Sequence, residues 1–89
     1  RREEAAQRAA LAPLRATVSR VERELEALVA QRARVEQQLT EPELFQPEQK
    51  AKLKDLLQTQ HGLSKEIARV EAAWMEAQEL LEAAERAQA

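Results

Sequence analysis

Few side chains in this sequence are of a type or spacing that does chemistry. His61 is the only histidine, and cysteine is absent. A lone imidazole can serve as a pH switch or a metal ligand. With no second imidazole or thiolate at ligand spacing there is no metal centre for it to join, and a solvated surface histidine beside Gly62 is the simpler reading. Gly62 is the only glycine, so no Gly-rich loop can cradle a phosphate. Trp74 is either a stacking residue of a binding site or a core knob filling the space beside Ala73 and Ala77, and the helical spacing around it favours the knob. Two sets of cations remain. Arg1, Arg8 and Arg15 recur every seventh residue and share one helix edge, and Lys50, Lys52 and Lys54 cluster later in the chain. Rows of this kind neutralise phosphates. The competing reading is a solvated helix flank of mixed charge, and Glu48 and Asp55 dilute the lysine cluster. Leu44 and Phe45 lie between two prolines, where apolar residues either meet a partner or plug the end of a core.

The elements that carry these residues follow from composition and period. Of 89 residues, 34% are charged and 2% aromatic, and the strong helix formers Ala, Leu, Glu, Gln, Arg and Lys dominate. Apolar residues step at alternating gaps of three and four through Leu11, Leu14, Val18, Val21, Leu25, Leu28, Val35 and Leu39, broken only by Arg32. A second series runs through Leu53, Leu56, Leu63, Ile67, Val70, Trp74, Ala77, Leu81 and Ala84, broken only by Gln60. Each stripe stays on one helix face and imposes a left-handed supercoil. Polar residues at these two seam positions can fix register or oligomer state, or Arg32 turns its head out to Glu36 or solvent while its stem packs.

The segment between the stripes, Thr40 to Pro47, holds two of the three prolines and ends the first helix near Leu39 or Thr40. Thr40 with Glu43 fits a capping box, and Pro47 suits the first turn of the next helix. A short connection between amphipathic helices makes them antiparallel. The expected fold is therefore all-α: one antiparallel two-helix coiled-coil hairpin over 1–89, with helix one about 2–39, a tip loop 40–47 and helix two about 48–87. Folding about the middle of the loop pairs Val35 with Leu53, Val21 with Ile67, Val18 with Val70 and Leu14 with Trp74; a register half a heptad away is also consistent with the stripes. Pro13 falls inside the first stripe, and a long helix bent there is favoured over a helix that starts there.

A two-helix hairpin has almost no interior in which polar groups could converge away from water, so no catalytic residue and no metal ligand is expected. The net charge of −2 names no partner by itself. Its distribution does favour pairing within the chain. Residues 1–40 hold eight arginines against six glutamates, a net of +2, and residues 61–89 hold three cations against six glutamates, a net of −3. A monomeric hairpin is expected on that ground. No apolar run approaches the ~20 residues that span a bilayer. The lack of cysteine fits a reducing, cytoplasmic setting. A first residue that is Arg1 rather than Met reads as a piece of a longer protein.

The string Leu39-Thr40-Glu41-Pro42-Glu43-Leu44-Phe45, followed by heptads and then Ala73-Trp74-Met75-Glu76-Ala77-Gln78-Glu79-Leu80-Leu81-Glu82, resembles the C-terminal coiled-coil domain of ABC-F ATP-binding cassette proteins, the Uup and YheS group. The opening Arg1-Arg2-Glu3-Glu4-Ala5-Ala6 and the run Leu11-Ala12-Pro13-Leu14-Arg15 look particularly YheS-like, and the resemblance covers nearly the whole chain. It implies a parent protein with two nucleotide-binding domains and no membrane domain, hydrolysing ATP with Mg and acting in translation or on the ribosome. This segment would be its non-catalytic arm, with no cofactor of its own, contacting nucleic acid (ribosomal RNA or DNA). By the resemblance, Leu44 and Phe45 fall at the family's hairpin-tip Leu and aromatic, and Trp74 at its tryptophan. The contact candidates are then Arg1, Arg8, Arg15, Lys50, Lys52 and Lys54, with Leu44 and Phe45 at the tip. The slight net acidity departs from a strongly basic nucleic-acid tail. The alternative is a protein-interaction or spacer coiled coil.

Overall fold

The computed structural model describes all 89 residues as a rod 68 Å long with a cross-section of 18 × 14 Å. Helix α1 runs Arg2–Gln38 and helix α2 runs Lys50–Gln88. Two short 3₁₀ turns, Pro42–Phe45 and Pro47–Gln49, join them. The helices are antiparallel along their whole length. At the open end Gln88 Nε2 donates to the Gln7 carbonyl at 3.2 Å, and midway Arg69 bridges to Glu24 at 3.4 Å. The all-α hairpin that the two stripes predict is the fold observed. The Ala-, Leu- and Glu-rich composition makes two helices of this length, and the stripes bury against each other.

Only eight residues are buried: Leu11, Val18, Val21, Leu44, Ile67, Val70, Ala77 and Leu81, and of these only Val70, at 1% exposure, is fully so. Seven of them run from the open end of the rod to just past its middle. Nearer the tip the stripe residues Leu28, Val35, Leu39, Leu53, Leu56 and Leu63 are half-buried. The single seam therefore protects its distal half well and its proximal half poorly.

The pairing register differs from the symmetric fold-back expected from the loop. Leu11, Val18, Ala77 and Leu81 form one cluster, with Leu14, Trp74 and Ala84 against it. Together with the Gln7–Gln88 bond, this seats Leu14 against Leu81, Val18 against Ala77 and Val21 against Trp74. Every expected pair is thus displaced along α2 by one heptad. The reason lies in the connection. The first 3₁₀ turn does not arch symmetrically between the helices but packs on α2 and buries Leu44. The first turns of α2 extend past the end of α1, and Leu44 covers them in place of an α1 residue. In this register Arg32 falls opposite Leu63 and Gln60 opposite Val35, so the two polar interruptions occupy adjacent layers. Arg32 reaches out to Glu36 at 3.5 Å, its stem along the seam.

The capping box is not formed. The Thr40 hydroxyl donates back to the Gln37 carbonyl at 2.6 Å, and Glu41, which opens the first 3₁₀ turn, makes no side-chain cap. Thr40 remains in the exit turn of α1, its hydroxyl and its backbone N–H both donating to the Gln37 carbonyl. Helix α1 continues through Pro13, and the Thr17 hydroxyl donates to the Pro13 carbonyl at 3.0 Å. The stripe residues Leu11 and Leu14 on either side bury against α2, and that contact offsets the N–H that proline lacks.

Gly62 sits within α2 at negative φ, and a Cβ built on it meets nothing within 4 Å. The position uses no property peculiar to glycine. Gly62→Ala is expected to stabilise the hairpin by about 1 kcal/mol, through helix propensity and a less flexible unfolded chain. A rise in the thermal midpoint followed by circular dichroism checks this; a fall would mean that the missing side chain is needed.

Candidate functional site

The tip presents the most distinctive exposed chemistry. Within the 3₁₀ turn successive side chains diverge sharply, so the neighbours Leu44 and Phe45 take opposite fates: Leu44 is 4% exposed and Phe45 is 61% exposed. A plug made of both residues is therefore corrected to a plug made of Leu44 alone. Phe45 stands in solvent at the end of the rod.

Lys50, Lys52 and Lys54 follow in the first turns of α2, all exposed. None has a carboxylate partner among the ion pairs of the structure. Lys50 and Lys54, one helical turn apart, line a shallow groove with Leu53, Leu57, Gln58 and His61. His61 is exposed there, without a hydrogen-bond or ion-pair partner. Glu41, Glu43 and Glu48 on the connecting turns are exposed in the same region, so the local field is mixed.

The arginine row lies elsewhere. Arg1, Arg8 and Arg15 are exposed along one edge of α1 at the open end of the rod, and Arg15 meets Glu85 at 3.7 Å. The antiparallel topology puts this row opposite the acidic end of α2. Arg15 and Lys54 are roughly 40 Å apart along the axis, counting helix rise per residue. The two basic groups cannot share one compact footprint.

Trp74 lies on the seam, half-buried, with its indole Nε1 shielded and unpartnered. It lines a second groove with Leu25 and Met75, rimmed by Glu22, Glu26 and Glu71. None of these three carboxylates is in an ion pair. Sequence reasoning passed over this groove. Its signal was present in the heptads, because the three glutamates and Met75 all flank the stripes on one side.

The one strongly coupled charge group is the Glu24–Arg69–Glu66 bridge between the helices. Arg69 Nε donates to Glu66 at 3.0 Å and Nη2 reaches Glu24 at 3.4 Å. The hydrogen bond from Arg69, and then its charge, hold the Glu66 carboxyl below its usual range. The same contact raises the Arg69 guanidinium. A carboxyl depressed in the folded state stabilises the fold above its unfolded pKa, and the benefit is lost as pH falls through the folded value. Glu66→Gln is therefore expected to lower the melting midpoint slightly at pH 7 and by less in strong acid, once pH has fallen through the depressed folded value and the wild-type carboxyl has taken up its proton. Equal effects at both pH values would show that the bridge contributes nothing.

The cross-section is that of two helices side by side, so no side chains converge in an enclosed cavity. No group of three or more His, Asp or Glu side chains is placed to hold a metal ion. No helix is long and apolar enough to cross a membrane. Comparison of the chain with family models, curated proteins and solved structures yields no match.

Proposed function

We propose that this chain is a non-catalytic arm that carries its contact surface at the hairpin tip and touches nucleic acid there, ribosomal RNA or DNA, in a translation-related role. The observation that supports it is Phe45, 61% exposed at the end of a 68 Å rod, followed by three lysines without carboxylate partners. An exposed aromatic beside unpaired cations is the combination that stacks on a base and neutralises its phosphates. Resemblance to the ABC-F tail adds the setting: a cytoplasmic ATPase whose ATP and Mg would be bound by other domains, working at the ribosome.

The mixed field at the tip favours a second reading. Glu41, Glu43 and Glu48 accompany the lysines, and the chain as a whole is at −2. A protein-interaction or spacer arm would use Phe45 as an apolar anchor and depend little on cation count.

Fluorescence-anisotropy titration against a structured ribosomal RNA fragment and duplex DNA, at about 50 and 200 mM salt, separates the two. If three lysines meet phosphates, affinity falls about 20- to 40-fold over that range. No binding to either nucleic acid at low salt would overturn the first reading and direct the search to protein surfaces of the ribosome.

A further inference from the structure

The side of the hairpin that carries the arginine row also carries the acidic groove, and the two are arranged along α1 in a way that complements itself. Every seventh residue of this edge reads Arg1, Arg8, Arg15, Glu22, Val29, Glu36. All are exposed. The charge changes sign between Arg15 and Glu22, close to the middle of α1. Three of the five large apolar side chains that are exposed, Val29, Leu57 and Met75, belong to this side, with Met75 at 57%. Glu22 and Glu26 have no partner within the chain.

We propose that this face docks a second copy of the chain, giving an antiparallel dimer whose two-fold axis passes between Arg15 and Glu22 of α1. Turning one hairpin about that axis sets Arg15 of each copy against Glu22 of the other, brings Arg8 within a turn of Glu26, and sets Arg1 against Glu36. The Arg8 stem then lies along Val29, and the two Met75 side chains meet near the axis, beside Leu25 and Trp74. Unlike charges meet along α1 and no like pair is forced together there. The contact is isologous and closes on itself, as a two-fold interface must.

A second copy also answers the thinness of the core. With eight of 89 residues buried, each hairpin has one seam and leaves the flanks of that seam wet. Stacking α1 on α1 and α2 on α2 turns two seams into a four-helix bundle, the arrangement in which flanking apolar residues become interior. The overlap runs from Arg1 to Glu36 of α1, so only the connecting turns and the first turns of α2 project at each end, Leu57 with them. The inference is therefore independent of what the tip binds. It revises the expectation of a monomer, which rested on the opposite charge of the two arms and left the outward edge of α1 out of account.

Charge reversal tests it. Sedimentation equilibrium is run on the wild-type chain of 10.1 kDa, on Arg8→Glu/Arg15→Glu, on Glu22→Arg/Glu26→Arg, and on an equimolar mixture of the two variants. All four substitutions are at exposed positions, and helicity by circular dichroism confirms folding. The expected result is a wild-type species of twice the chain mass, at least a tenfold weaker dimer in each variant alone, and recovery of the dimer in the mixture. A wild-type chain that stays monomeric at millimolar concentration overturns the proposal and leaves the face to a different protein. Variants that still dimerise, or a mixture that does not recover, overturn it equally, because the contact would then lie elsewhere.

Discussion

Replacing Ile67 by alanine is expected to lower the stability of the hairpin by about 2–5 kcal/mol, the range for truncating a buried aliphatic side chain. Ile67 is 3% exposed and sits where the well-packed half of the seam meets the looser half. A globular domain can relax several layers into such a cavity. Two helices in contact along one line have no second layer to collapse, which sets the effect toward the upper part of the range. For a chain of this size each kcal/mol moves the midpoint by about 4–8 °C, so a fall of at least ~10 °C is expected in a thermal melt. A shift of only a few degrees would mean that the seam contributes less than its burial implies.

The second large effect separates two adjacent residues. Leu44→Ala is expected to cost about 2–4 kcal/mol, because Leu44 is the only buried residue of the connection. Its loss exposes the seam beyond the end of α1 and lets the tip open. Phe45→Ala, one residue on, is expected to change stability by less than about 0.5 kcal/mol, since Phe45 contributes to the surface and not to the core. Binding at the tip should show the reverse order, with the folded Phe45→Ala chain losing affinity. Urea titrations of the two variants check the stability half of this contrast; equal costs would contradict the division of labour within the turn.

The helices and their contact faces were legible because heptad spacing is a local signal that survives tertiary context. Leu11 to Leu39 and Leu53 to Ala84 each occupy one face for several turns, and nothing in the fold competes with that. The register was not legible. It depends on how many residues the connection consumes and on which helix it leans against, and two 3₁₀ turns that bury Leu44 shift every pair by a heptad. Misplacing the register also hid the Glu24–Arg69 bridge, whose partners are 45 residues apart in sequence. The fates of Leu44 and Phe45 were open for a similar reason, because in a 3₁₀ turn the backbone path and not residue type decides which neighbour faces in. Thr40 shows the limit of a motif: the spacing to Glu43 was right for a cap, but the hydroxyl turns back to the Gln37 carbonyl, beside the Thr40 backbone N–H that donates there too.

At the candidate site, the residue types were evident and their grouping was not. Arg1, Arg8, Arg15 and Lys50, Lys52, Lys54 read as two basic sets of one contact surface, and the hairpin holds them roughly 40 Å apart. The groove of Leu25, Trp74 and Met75 was passed over because each residue was weighed alone, although Glu22, Glu26 and Glu71 flank the stripes on the same side.

The most direct test of the tip as the contact surface is a pair of triple variants titrated against the same ribosomal RNA fragment at about 50 mM salt. One neutralises Lys50, Lys52 and Lys54 to Gln; the other neutralises Arg1, Arg8 and Arg15 to Gln. The lysine variant is expected to lose about tenfold or more in affinity and most of its salt dependence, while the arginine variant stays within about twofold of wild type. Loss confined to the arginine variant would contradict this and move the contact to the open end of the hairpin.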